Sequence, residues 1–188
     1  MKIAWPPPPL GLGTVLNLAY FSHETRRNLR RSWWLVAVVG VVTPFLMLAI
    51  DQMLFGGSSL QRVHDLGSEP LTFRLLVVLY SGVTEELVYR LVLATLVAWL
   101  AYLALSRVAT NPKAAAQWLG IVVAATLFGL AHVGNLPNVQ EPVLRAVLVN
   151  GVAGLAFGWL FFSRGLEVAI LSHMLAILIL YIGVPPFL

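Results

Sequence analysis

Five continuous apolar runs, Trp33 to Phe55, Leu71 to Leu105, Ala114 to Ala131, Val143 to Phe162 and Leu166 to Tyr181, approach or exceed the roughly 20 residues a helix needs to cross hydrocarbon. No other feature restricts the fold as strongly. Lipid offers the backbone no hydrogen-bond partner, so a spanning segment must be a helix or part of a closed barrel, and these runs lack the period-two alternation of barrel strands. The sequence therefore predicts an all-α, polytopic membrane helix bundle with five to six transmembrane helices. Only 11% of the 188 residues are charged, against roughly a quarter in a soluble domain, which agrees.

The uncertain sixth crossing lies in Leu71 to Leu105, which is about 52 Å long as one helix, too long for one untilted span and short for two. Gly82 is the natural place for a break, with Thr84 capping a helix that begins at Glu85. Residues 1–32 read as a proline-rich, basic arm with a short interfacial segment, Leu10 to Phe21, rather than a cleaved signal, because Pro6 to Pro9 interrupt the apolar stretch. Residues 33–188 form the transmembrane domain.

The net charge of +4 does not point to nucleic acid, because the positives form no broad basic face. Arg26, Arg27, Arg30 and Arg31 instead precede the first apolar run, with Trp33 and Trp34 as an interfacial belt, so that side is expected to be cytoplasmic. Cysteine is absent, which removes disulfides, thiol nucleophiles and thiolate metal sites.

Gly56 to Pro70, Arg107 to Lys113 and Gly134 to Pro142 carry turn chemistry and read as loops, and Ser163 to Gly165 is the shortest connection. Gly151, Gly154 and Gly158 fall at the spacing that lets one helix approach another closely in lipid.

The stretch SGVTEELVYR, residues 81–90, places charge inside the second run. Glu86 and Arg90 make an i,i+4 pair in the favourable orientation, and a helix start would welcome acidic residues, so capping and one ion pair explain them without any function. Glu85 is left over. Successive helical residues point about 100° apart, so Glu85 is expected to face a different helix from Glu86. Titratable groups at membrane depth line polar cavities as a rule, and His132, with Phe128 one turn earlier, and His173 lie on two further runs. Antiparallel alternation brings all three groups toward one face.

Glu85-Glu86-x-x-x-Arg90, Phe128-x-x-x-His132 and the later His173 together resemble, in order and placement, the three motifs of the CPBP family. These are intramembrane proteases related to the CAAX prenyl endopeptidase Rce1 and also called Abi. The resemblance spans Leu71 to the C-terminus. It implies hydrolysis of a peptide bond in a membrane-protein or lipid-anchored substrate, with Glu85 activating water, His132 assisting, His173 near the oxyanion, and Glu86 and Arg90 holding the geometry. Where the family often carries Asn four residues after the last histidine, this chain has Ile177. Asn150, Asn135 and Ser172 are the candidate substitute donors. Glu85, His132 and His173 also suit catalytic zinc, although the metal-free glutamate-protease reading is the more persuasive for this motif set and no H-E-x-x-H is present.

Two readings from other classes stay open: a non-catalytic immunity or partner-binding protein on the same scaffold, and a proton-coupled transporter, for which no paired discontinuous segments are visible. The expected location is the cell membrane of a bacterium or archaeon. If Leu71 to Leu105 crosses once, Arg107, Lys113 and Arg164 join the cytoplasmic cluster and the site opens outward; if it crosses twice, the site opens inward.

Overall fold

A computed structural model describes residues 23–135 and 141–187. The proline-rich arm with its Leu10 to Phe21 segment, most of the loop after Asn135, and the Asn135 side chain lie outside the described residues. Helix α1 (His23–Phe55) is followed by α2 (Ser58–Gly67) and α3 (Leu71–Glu85), which passes through a π-helical stretch (Glu86–Ala94) into α4 (Thr95–Leu105). Then come α5 (Pro112–Leu130), α6 (Pro142–Arg164) and α7 (Leu166–Leu178), the last continuing through Ile179–Gly183 toward Phe187. The described residues contain no strand. Among the described residues five helices are long and apolar enough to cross a membrane: Arg30–Phe55, Leu71–Leu105, Pro112–Leu130, Pro142–Arg164 and Leu166–Phe187. The chain is an all-α polytopic bundle.

Leu71–Leu105 is thus one continuous helical rod, and the expected break at Gly82 does not occur. Gly82 is instead a packing position: a Cβ there would lie 2.3 Å from Met174 Cγ, so its hydrogen lets α3 lie against α7. Thr84 caps nothing, because Glu85 already has helical φ and ψ of −68° and −36°. The irregularity begins one residue later. The wider turns of the π-helical stretch carry Glu86 and Arg90, and such stretches inside longer helices are frequent at functional sites.

The segment expected as a polar loop after the first run holds α2. Gly56 and Gly57, with φ of 74° and 79°, turn the chain in a left-handed conformation that glycine adopts without steric cost. Leu60, Val63 and Leu66 then recur along SSLQRVHDLG, and Val63 is buried. Gly67 abuts Pro185 of the C-terminal segment, so α2 lies across one end of the bundle.

The other connections follow their local chemistry. Asn111 caps α5 by accepting a hydrogen bond from the Ala114 amide at 3.3 Å, with Pro112 in the first turn. Gly165, at φ 104°, joins α6 to α7 with almost no loop, and the two helices pack together as that short link requires.

Helices α5 and α6 share the most extensive contact among the described elements. A Cβ on Gly154 would lie 2.7 Å from Ala125 Cα, and one on Gly158 would lie 3.1 Å from Ile121 Cγ2, so both glycines admit α5. Gly151, the third of the spaced set, makes no such close approach. The buried core gathers around Phe128, Phe157, Leu160, Phe161 and Leu166, with Leu35 from α1. Trp33, Trp34, Trp118 and Trp159 are exposed toward the end of the bundle where α1 and α5 begin and α6 finishes, as a membrane-interface belt would be.

Candidate active site

The π-helical stretch supplies the least expected feature of the interior. Glu86 is fully buried and Arg90 nearly so, with Arg90 Nε 3.2 Å from Glu86 Oε2. Two charges withdrawn from water persist only when other partners satisfy them. Arg90 has several: its Nη2 donates to the Gly154 carbonyl at 3.5 Å, and its guanidinium carbon lies 4.9 Å from the centre of the Phe128 ring and 5.8 Å from that of Phe157. A desolvated cation over an aromatic face gains about 2 kcal/mol or more. Here that face belongs to the phenylalanine four residues before His132.

Glu86 has a second partner. His173 Nδ1 lies 2.8 Å from Glu86 Oε1, and the imidazole stacks on Phe157 with ring centres 4.7 Å apart. An ionised carboxylate can only accept, so Nδ1 carries the hydrogen and Nε2 is the free ring position. That nitrogen faces Glu85, at 3.7 Å from Oε2. The two glutamates therefore reach one imidazole from its two ring nitrogens, where the helical geometry expected them to face different neighbours. Glu86 does more than close an i,i+4 pair, because it also orients a cavity-lining histidine.

His132 is held by similar logic. It follows the end of α5, and its Nδ1 lies 2.7 Å from the Phe128 carbonyl. A carbonyl only accepts, so Nδ1 again bears the hydrogen and Nε2 presents a lone pair. The Phe128 ring lies 4.6 Å from the His132 ring and 5.2 Å from that of Tyr89, which meets it edge-on. Phe128 thus contacts both the buried Arg90 and His132.

Glu85, His132 and His173 line one cavity of about 500 Å³. Val77 and Ala153 contribute to apolar parts of its wall, and Tyr89 and Asn150 supply polar groups near the titratable residues. Glu85 retains 24% side-chain exposure while Glu86 retains none, so the first carboxylate is accessible from the cavity and the second is enclosed by protein.

The three candidate donors separate. Asn150 lines the cavity, and one N–H of its amide is used on the Ala146 carbonyl at 3.2 Å, which leaves a second. Ser172 is fully buried, donates to the Val168 carbonyl at 2.8 Å and is absent from the cavity wall. The Asn135 side chain lies outside the described residues. Ile177 does line the cavity, so the position expected to be polar presents an apolar surface.

Among the described residues no three His, Asp or Glu side chains are grouped closely enough to hold a metal ion. Glu85, His132 and His173, which suit zinc by donor chemistry, share the cavity without forming such a cluster. They do not fit the ion as placed.

A second buried polar cluster was not foreseen. Asp51 of α1, itself fully buried, lies 2.6 Å from Arg145 Nε of α6 and accepts from the Ser59 amide of α2 at 2.7 Å, while Arg145 also donates to the Ser59 hydroxyl. Ser59 and Arg145 line the same cavity. The signal was available: Asp51 stands inside the first apolar run, as Glu85 does inside the second.

A family model described as Rce1-like, type II CAAX prenyl endopeptidase, matches residues 67–179, well over half of the chain. No curated protein and no solved structure matches significantly. The chain belongs to the Rce1-like family, and with it to the CAAX-type intramembrane peptide hydrolases.

Proposed function

We propose that this member of the Rce1-like family hydrolyses a peptide bond of a membrane-protein or lipid-anchored substrate by activating water between Glu85 and His132. The observation that carries the reading is the sharing of one cavity by Glu85, His132 and His173, with each histidine's Nδ1 engaged elsewhere and its Nε2 left for the cavity.

A water held there donates one hydrogen to the Glu85 carboxylate and the other to His132 Nε2, which directs its lone pairs at the scissile carbonyl carbon. As the new C–O bond forms, Glu85 takes the proton from water and the carbonyl oxygen becomes an oxyanion. The second N–H of Asn150 and, when protonated, His173 Nε2 are the donors available to that oxygen. Collapse of the tetrahedral intermediate breaks the C–N bond while Glu85 returns its proton to the departing amine. Glu86 and Arg90 touch no reacting atom and position His173 and Phe128. The substrate of this chain is proposed to be a C-terminal anchor or CAAX-like tail, the bilayer its surroundings, and a cell membrane its location.

Purified protein carrying His132→Ala is expected to lose cleavage of a co-expressed membrane substrate by about 10²-fold or more, the usual contribution of an acid–base group, while its thermal unfolding stays close to that of the parent. Undiminished cutting would eliminate this assignment, and function that survived without any cutting would favour a binding role on the same scaffold. Incubation with a divalent-metal chelator is expected to leave the cleavage rate unchanged. Loss of activity that zinc alone restored would contradict the metal-free route.

A further inference from the structure

We infer that the cavity opens on the side of the membrane opposite the cytoplasm, beneath α2, so that the enzyme acts on tails or anchors presented on that face. The inference rests on the proposed hydrolytic reading for what happens in the cavity, and on independent observations for where the cavity opens.

Sidedness follows from helix direction. Because Leu71–Leu105 is continuous, five spans alternate without interruption, and their ends sort into two sets. The end of α1, the whole of α2, the starts of α3 and α6, the end of α5 and the C-terminal segment lie together. This grouping is fixed by contacts rather than by counting spans. Asp51, Ser59 and Arg145 join α1, α2 and α6; Gly67 abuts Pro185; and Arg74, near the start of α3, donates from Nη1 to the Tyr181 carbonyl at 2.9 Å. Ser59, Val63 and Leu66 of α2, Phe73 near the start of α3, His132 just after α5 and Arg145 near the start of α6 line the cavity, so it reaches this end of the bundle.

Charge is distributed unequally between the two ends. The far end carries Arg30 and Arg31 on the first turns of α1, Arg107 and Lys113 around the α4–α5 connection, and Arg164 at the end of α6. Those connections are short, the condition under which lysine and arginine set orientation. At the cavity end the described residues carry three, Arg62, Arg74 and Arg145, against those five, and of the three Arg145 is buried against Asp51 and Arg74 is turned onto backbone. Positive residues that flank short loops remain cytoplasmic. The basic end is therefore the cytoplasmic one and the cavity faces away from it.

Helix α2 gives that opening its form. Its apolar residues Val63 and Leu66, with Ser59 and Arg62, line the cavity, while Gln61 and Asp65 are exposed and joined by a 2.8 Å hydrogen bond. It roofs the cavity as an amphipathic helix lying at the surface rather than crossing it. A substrate tail on that face meets α2 before it meets Glu85.

The chain has no cysteine, so single-cysteine variants of the full protein report accessibility without background. Gln61→Cys on the outer face of α2 and Thr110→Cys in the α4–α5 connection are both at exposed positions. In spheroplasts of a bacterial host, a membrane-impermeant maleimide is expected to label Gln61→Cys directly and Thr110→Cys only after permeabilisation. The opposite pattern, or labelling of both before permeabilisation, overturns the inference. Each variant must also cut a reporter whose cleavable tail lies outside, and must spare one whose tail lies in the cytoplasm. Efficient cutting of the cytoplasmic tail would equally overturn it. Failure of the hydrolytic reading is distinguishable, because it abolishes cutting of both reporters and leaves the labelling pattern as expected.

Discussion

Glu85→Gln is expected to lower peptide cleavage by about 10²- to 10⁴-fold, the range a general base contributes, without loosening the fold. The amide keeps the size of the side chain and removes only its basicity. Little else depends on that carboxylate: it is partly exposed in the cavity, and the ring nitrogen it faces, His173 Nε2, is 3.7 Å away, beyond direct hydrogen-bond reach. Cleavage of a membrane substrate by purified protein, paired with a thermal melt, reads both effects. A variant that retained the parent's rate would remove Glu85 from the chemistry. One that lost activity and stability together would recast it as a structural residue.

Glu86→Ala, one position along, is expected to do the reverse and act on the fold first. Deleting that carboxylate leaves Arg90 as a buried cation with a distant carbonyl and two aromatic faces, and it strips His173 Nδ1 of its acceptor at 2.8 Å. Breaking one partner from a buried pair costs about 3–5 kcal/mol. Against a typical total of roughly 5–15 kcal/mol, that is enough to depopulate the native state on mild heating. The expected observation is a large drop in thermal midpoint, with Glu86→Gln falling between parent and alanine because its carbonyl oxygen still accepts from His173. An unchanged midpoint for Glu86→Ala would mean that the ion pair is not the keystone its burial suggests. The contrast between adjacent glutamates is the more informative result, since one residue answers in rate and its neighbour in stability.

The sequence disclosed those elements whose physics is local or periodic. Apolar runs long enough to span lipid gave the helices, because the cost of unsatisfied backbone in hydrocarbon leaves no alternative. The Glu86–Arg90 pair was legible from i,i+4 spacing, and antiparallel alternation placed Glu85, His132 and His173 toward one face, where all three line one cavity. Contacts across long separations were hidden. Nothing in SGVTEELVYR announces that Glu86 also meets a histidine 87 residues away, or that the helix widens there into π turns. Asp51 and Arg145 are likewise joined only by the fold, although each alone is an anomaly in an apolar stretch. Helix α2 was masked by its Gly-Gly-Ser-Ser beginning, and the three-residue recurrence of Leu60, Val63 and Leu66 was the overlooked cue. Gly82 misled for a related reason: a glycine inside a membrane helix marks close packing as often as a break, and here Met174 occupies the space beside it.

The substitution of Ile177 for a polar residue also becomes intelligible in the folded chain. It forms part of the cavity wall, and Asn150, reaching the same cavity from α6, keeps an uncommitted N–H. A donor can thus be supplied from a different helix without altering Glu85 or either histidine.

The central proposition is that a single water molecule bridges an acid and an imidazole inside the bundle. An experimental structure in lipid or detergent, at a resolution that orders water, tests it most directly. The expected result is one water within about 2.6–3.2 Å of both a Glu85 carboxylate oxygen and His132 Nε2. Finding those two groups too far apart for one water to touch both, or finding the space between them filled by apolar side chains, would contradict it.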